Sequence, residues 1–264
     1  DIGSFISDNV MKEDVFYDKY SSMSPIQKEL VNNLIAKIEK NFSIIDLFDF
    51  SIETNSCGKI DEYILNNNSN IDGYILNNYD ESNDYVIVNN LTFTDEGKLK
   101  LELFIWDMLD RRIVGAQYYI INDGTLSRIS NIISDFIYTN TTNEEIGIFD
   151  SKVMYVSETG KFNSRKRTVR TMDFNGDNNA KVTGGNSIII TPTFSKVDKN
   201  EIFYLEYKDK VANFFKEDIV TNKKSVIKVN GGIMFAPSFN PKNNEQLVLS
   251  IASEDGTNLF MLNM

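Results

Sequence analysis

Thr191-Pro192-Thr193-Phe194-Ser195 and, 45 positions later, Ala236-Pro237-Ser238-Phe239-Asn240 carry one pattern twice. Holding the same shift lays Ile202-Phe203-Tyr204-Leu205 on Leu247-Val248-Leu249-Ser250, and Asn213-Phe214-Phe215 on Asn258-Leu259-Phe260. One step backward lays Thr168-Val169-Arg170-Thr171-Met172-Asp173 on the run from Asn213 to Asp218. Each unit reads as a Pro-aromatic strand, a polar turn, an aliphatic strand, a polar hairpin and a third strand. Short β-branched and aromatic runs between polar turns are strand signals. A period of roughly 40 to 50 residues with about four short strands per unit is what propeller blades produce. One such sheet cannot bury its own apolar face, so it stacks on a neighbour.

Upstream of Gly147 the patterning differs. Ser24-Pro25-Ile26-Gln27 combines an N-cap Ser, a Gln three residues on and a Pro at the first helical position. Ile26, Leu30, Leu34 and Ile38 follow at four-residue steps, with Val31 and Ile35 widening the stripe. An amphipathic helix is predicted over 25–40, with Lys37 and Lys40 near its C-terminal end. Leu126, Ile129, Ile132, Ile133, Phe136 and Ile137 predict a second over 125–139. Between them, Tyr85–Val88, Leu99–Trp106 and Arg112–Ile121 read as an antiparallel meander. The Asn-, Asp- and Ser-rich stretch 51–84 predicts long loops. The expected architecture is an α+β N-terminal domain over 1–147, followed over 148–264 by an all-β propeller segment.

Composition removes several chemistries. The chain has 264 residues, 27 Lys and Arg against 38 Asp and Glu, a net charge of −11, one Cys and no His. Without His there is no Ser-His-Asp triad, Cys-His pair or HExxH zinc site. Cys57 alone forms neither an internal disulfide nor a CxxC motif. The acidic balance argues against a nucleic-acid surface. No apolar run approaches the roughly 18 residues of a membrane-spanning helix. No catalytic residue, metal or cofactor is expected.

The remaining motifs have modest readings. Asp173-Phe174-Asn175-Gly176-Asp177 opens like a calcium loop, but Asn178 and Gly184 stand where the Gly at six and the Glu at twelve belong. A polar hairpin with Asx turns is the simpler expectation. Arg165-Lys166-Arg167 with Arg170 reads as a solvated hairpin, and Trp106, Tyr118 and Tyr119 as packing for the first sheet. Ser187-Ile188-Ile189-Ile190-Thr191 and Gly232-Ile233-Met234-Phe235-Ala236 lead into the inner strand of each blade, where connections rim one mouth of a propeller. Either Ile190 and Phe235 enter the blade core, or Ile189, Ile190, Thr191, Ile233, Met234, Phe235 and Ala236 form an apolar rim that contacts a partner.

These repeats resemble the PD40 type, written A-P-x-F-S-P-D-G before a hydrophobic strand. Both turns depart from it: Lys196 to Asn200 and Pro241 to Glu245 have lost the Asp-Gly and gained a residue. Leu103-Phe104-Ile105-Trp106-Asp107, Arg112 to Tyr119 and the junction Gly147-Ile148-Phe149-Asp150 to Glu158 resemble the TolB family of periplasmic propeller proteins. That resemblance runs from about 85 to 264 and more weakly over 24–50. It implies a scaffold of the Tol-Pal system rather than an enzyme, located in the periplasm after removal of a signal peptide. Its implied partners are the lipoprotein Pal at the propeller mouth, TolA at the N-terminal segment and further outer-membrane proteins, with no direct membrane insertion. For TolA the carried-over positions are Asp1, Ile2, Phe5 and Ile6. The family's propeller has six blades, whereas the roughly 117 residues after Gly147 suffice for two to three, so the expectation is a piece of a longer protein. The competing expectation is a propeller accessory domain of a serine peptidase, whose Gly-x-Ser-x-Gly elbow and His would lie elsewhere. A carbohydrate-binding propeller is a third.

Overall fold

The computed structural model describes residues 23–45, 47–49, 75, 79, 83–142, 144–161, 164–185, 187–198, 200–208, 211–227, 233–242 and 245–263, with the backbone of Ile2–Asp8 and Ile52–Glu53. The chain divides into two compact units, Asp1–Ser151 and Lys152–Met264.

Among the described residues, the first unit packs two helices on a five-stranded sheet. Helix α1 spans Pro25–Ile44 and begins with a complete capping box. Ser24 Oγ accepts from the Gln27 backbone N–H, and Gln27 Oε1 accepts from the Ser24 backbone N–H. The helix runs four residues past its expected end because Phe42 continues the buried stripe of Leu30, Val31, Leu34 and Ile38. Lys37 and Lys40 therefore lie ahead of the last turn, which holds no basic residue. Helix α2 spans Leu126–Thr142, and the Asn122 side chain accepts from Thr125 N–H in the turn that leads into it. The two helices are joined by a buried amide: Asn41 Nδ2 donates to Asn131 Oδ1 at 2.9 Å and to Ser134 Oγ at 3.0 Å.

The sheet order is β2 (Ile52–Glu53), β1 (Ile2–Asp8), β3 (Tyr85–Phe93), β4 (Leu99–Asp107) and β5 (Arg112–Ile121). Strands β3 to β5 form the expected antiparallel meander. Strand β1 runs parallel to both β3 and β2, a pairing that the local patterning does not announce. Leu99, Leu101, Leu103 and Ile105 alternate into the core. A Cβ on Gly115, opposite Ile105, would lie 2.9 Å from Phe136, which puts α2 hard against β5 on that face. On the other face Val86, Val88 and Trp106 pack with Ile75 and Met108. Trp106 is thus core, as expected, whereas Tyr118 is exposed, because β5 is an edge strand and its face lies beyond that cluster. Tyr119, on the helix-facing side, has its hydroxyl pKa pushed up to about 12 by burial.

The second unit consists of three antiparallel sheets among the described residues. Blade I contains β6 (Lys152–Thr159), β7 (Lys166–Asp173) and β8 (Ala180–Gly185). Blade II contains β9 (Ile188–Phe194), β10 (Glu201–Lys208), β11 (Val211–Asp218) and β12 (Lys223–Ile227). Blade III contains β13 (Ile233–Phe239), β14 (Gln246–Ser253) and β15 (Gly256–Asn263). The architecture is that of a partial propeller, and the 45-residue repeat places β9, β10 and β11 on β13, β14 and β15. Apolar clusters join the sheets. Val169 of blade I meets Ile189, Ile202 and Tyr204 of blade II. Phe203, Leu205 and Phe214 of blade II meet Met234, Phe239, Leu247, Leu249 and Ile251 of blade III.

Candidate protein-interaction rim

The repeated Thr-Pro and Ala-Pro steps produce the same irregularity in both inner strands. Ile190 pairs with Leu205 and Thr193 with Phe203, so Thr191 and Pro192 together oppose Tyr204. In blade III, Ala236 and Pro237 together oppose Leu249, between the pairs Phe235–Ser250 and Ser238–Val248. Proline has no N–H for the ladder and is tolerated in a sheet at such bulges. The residue before it takes up the turn: Thr191 has φ +49° and Ala236 φ +45°. That left-handed backbone costs a non-glycine residue about 1–3 kcal/mol and persists only where the surrounding structure dictates it. Bulges re-aim side chains and end regular pairing at rims.

The candidate rim residues divide between interior and surface. Ile189 is buried against blade I, and Ile190 is half-buried in the cluster between blades II and III. Met234 is only 5% exposed and belongs to that same cluster; it is a core residue, because its side chain points between the sheets. Its carbonyl also accepts the Tyr207 hydroxyl at 2.7 Å, tying the start of β13 to the end of β10. Thr191 and Ala236 are exposed, as are Ile233 (45%) and Phe235 (39%). Ile188, absent from the sequence-derived set, is 48% exposed. It sits 45 residues before Ile233, so the repeat itself would have found it. Of the N-terminal candidates, Ile2, Phe5 and Ile6 lie in β1, where Phe5 and Ile6 pair with β2 on one side and β3 on the other. Both backbone edges are occupied there, so these residues offer no free edge to a partner strand in this arrangement. Asp1 lies outside the described residues.

The other motifs resolve into local structure. Asp173 is buried and takes Lys152 Nζ at 2.8 Å and Asn178 Nδ2 at 2.6 Å, while Asn175 Oδ1 accepts from Asp177 N–H. Its carboxylate therefore closes a hairpin. Arg165 and Arg167 both donate to Glu158, whose carboxyl is held below its usual range chiefly by the bond from Arg167. Arg170 donates to Asn179 Oδ1. Between blades I and II the buried Tyr204 hydroxyl donates to Glu217 Oε2 at 2.6 Å. Burial first, and that bond second, raise the tyrosine pKa well above its usual value. Among the described residues no group of three or more His, Cys, Asp or Glu is placed to hold a metal, and no helix is long and apolar enough to cross a membrane.

An α+β unit followed by stacked antiparallel sheets of three or four strands defines a propeller-bearing protein. Residues 138–264 match the PD40 family model, described as the TolB beta propeller domain. The chain is similar to the Tol-Pal system protein TolB of Rickettsia bellii (strain OSU 85-389), with 35% identity over 159 residues, covering 60% of this chain and 35% of that protein. The corresponding Rickettsia canadensis (strain McKiel) protein is 37% identical over 166 residues, covering 62% and 36%. The chain thus spans about a third of the length of the curated relatives it matches. The crystal structure of TolB from Acinetobacter baumannii shares the fold at a TM-score of 0.67 and 15% identity, covering 100% of this chain and 58% of that one.

Proposed function

We propose that the chain is part of a non-enzymatic periplasmic scaffold of the Tol-Pal envelope complex. It holds the peptidoglycan-associated lipoprotein Pal through the propeller rim and TolA through the N-terminal segment, in support of outer-membrane integrity and cell division. The relationship to proteins named for the Tol-Pal system supplies the setting. The observation that carries the binding site is the exposure of Ile188 and Ile233 at equivalent positions of neighbouring blades, each at the start of an inner strand. Exposed apolar side chains repeated by the blade period form an adaptable contact surface. Phe235 adds an aromatic anchor, the residue type that dominates interface energetics. Met234 supports the rim from inside the blade rather than by contact.

The test is calorimetric titration of the chain with Pal. Ile188→Asp with Ile233→Asp is expected to weaken binding by roughly 30-fold or more, as for interface hot spots. The melting temperature should barely move, since both side chains are solvated. Unchanged affinity in the double variant rules out the rim. For TolA, engagement through Ile2–Asp8 requires β1 to leave the sheet. A disulfide holding β1 to β3 is therefore expected to abolish TolA binding and leave Pal binding intact.

A further inference from the structure

The chain leaves helix α2 at Thr142 and comes back along the same helix before the blades begin. The Asp135 carboxylate, two turns inside α2, accepts the Phe149 backbone N–H at Oδ1 (2.6 Å) and the Asp150 backbone N–H at Oδ2 (2.9 Å). Both oxygens are thus committed to a segment 14 and 15 residues downstream. Bonds of this charge-assisted kind are roughly twice as strong as neutral ones. Gly147 passes so close that a Cβ there would lie 2.2 Å from Asp135 Cγ and 2.4 Å from Oδ1. The carboxylate cannot swing aside without breaking both bonds. Phe149 is buried, its ring 5.2 Å from Phe42 of α1 and 6.1 Å from Tyr138 of α2. Ser151 Oγ closes the segment by donating to the Ile148 carbonyl.

Connections between compact units are ordinarily solvated and mobile. This one is held by charge, by steric approach and by aromatic packing at once, and helix α2 itself makes no use of an Asp at that position. We propose that Asp135, Gly147 and Phe149 form a latch that makes residues 147–150 a rigid extension of the helix pair. The first joint beyond the latched segment then lies at Ser151–Lys152. This also explains why the compact unit ends at Ser151, four residues beyond the boundary that the change of patterning suggests.

The test uses the full chain, with amide hydrogen exchange resolved at Phe149 and Asp150. Asp135→Ala and Gly147→Ala are each expected to lower protection of the two amides roughly 10- to 100-fold. Trp106, the single tryptophan, lies in the core of the α+β unit, so its emission reports whether that unit stays folded. If Asp135→Ala unfolds the unit, Asp135→Asn serves instead, since it keeps one acceptor and should deprotect Asp150 more than Phe149. Retained protection in the variants overturns the latch.

Discussion

Blades II and III carry the same repeat, yet equivalent side chains live in different surroundings. Phe203, Leu205 and Phe214 of blade II are each 1% exposed, because blade III covers them. Their counterparts 45 residues on are Val248, Ser250 and Leu259, and Leu259 is 75% exposed. On the opposite face the order of polarity changes as well. Blade II presents Tyr204 and Glu217 to blade I, hydrogen-bonded in a buried setting. At the equivalent positions blade III presents Leu249 and Leu262 to blade II. The repeat therefore specifies where a side chain points, while the neighbour decides what that direction is worth. Such energetics belong to nearest-neighbour stacks, in which a unit's stability is mostly interface.

The sharpest way to break this comparison is to truncate one member of each pair. Phe203→Ala should cost about 3–5 kcal/mol in urea unfolding followed by near-ultraviolet circular dichroism. Leu259→Ala, at the position equivalent to Phe214, should stay within about 0.5 kcal/mol. Equal effects would mean that the exposed face of blade III is covered in solution.

A smaller effect is expected at the polar interface. Tyr204→Phe leaves Glu217 without its buried donor and should cost about 1–3 kcal/mol. Replacing both with the blade III residues, Tyr204→Leu with Glu217→Leu, should recover most of that loss, since well-packed apolar pairs substitute for buried polar ones at little cost. A double-mutant cycle reads the coupling.

The smallest effect distinguishes the blades by pH. Asp218 closes a turn of blade II by accepting from the backbone N–H groups of Val220 and Thr221, and these bonds hold its carboxyl below its usual range, the one from Thr221 most. A depressed folded-state pKa adds stability above the unfolded value, and that stability is lost as pH falls through the folded value. Blade III has Asn263 at the equivalent position, which does not titrate. Asp218→Asn should therefore flatten the acid limb of the stability profile below about pH 4. An unchanged limb would place the acid sensitivity elsewhere, Glu158 being the next group to test.

Much of the fold was legible. Arg112–Ile121 forms β5 with the predicted limits, and the capping box at Ser24 starts α1 where two local signals coincide. The strands of blades II and III appear where the repeat puts them, since alternation and turn residues act over a few positions. The candidate site was only half legible. Periodicity marked 187–191 and 232–236 but could not tell Met234, which points between sheets, from Ile233, which points out. Residues of one short apolar run alternate between faces, and which face is covered depends on a sheet folded from residues further along the chain.

Local order determined the helices, the meander and the blade repeat, because caps, periodicity and turn chemistry are properties of neighbouring residues. Three features were left to tertiary structure. Strand β1 took its place between β2 and β3 by pairing with residues some 45 and 80 positions away. Asp135 became the anchor of the junction because Gly147 and Phe149 return to it. The division of the rim into buried and solvated side chains came from stacking, which removes water from whichever face a neighbour covers.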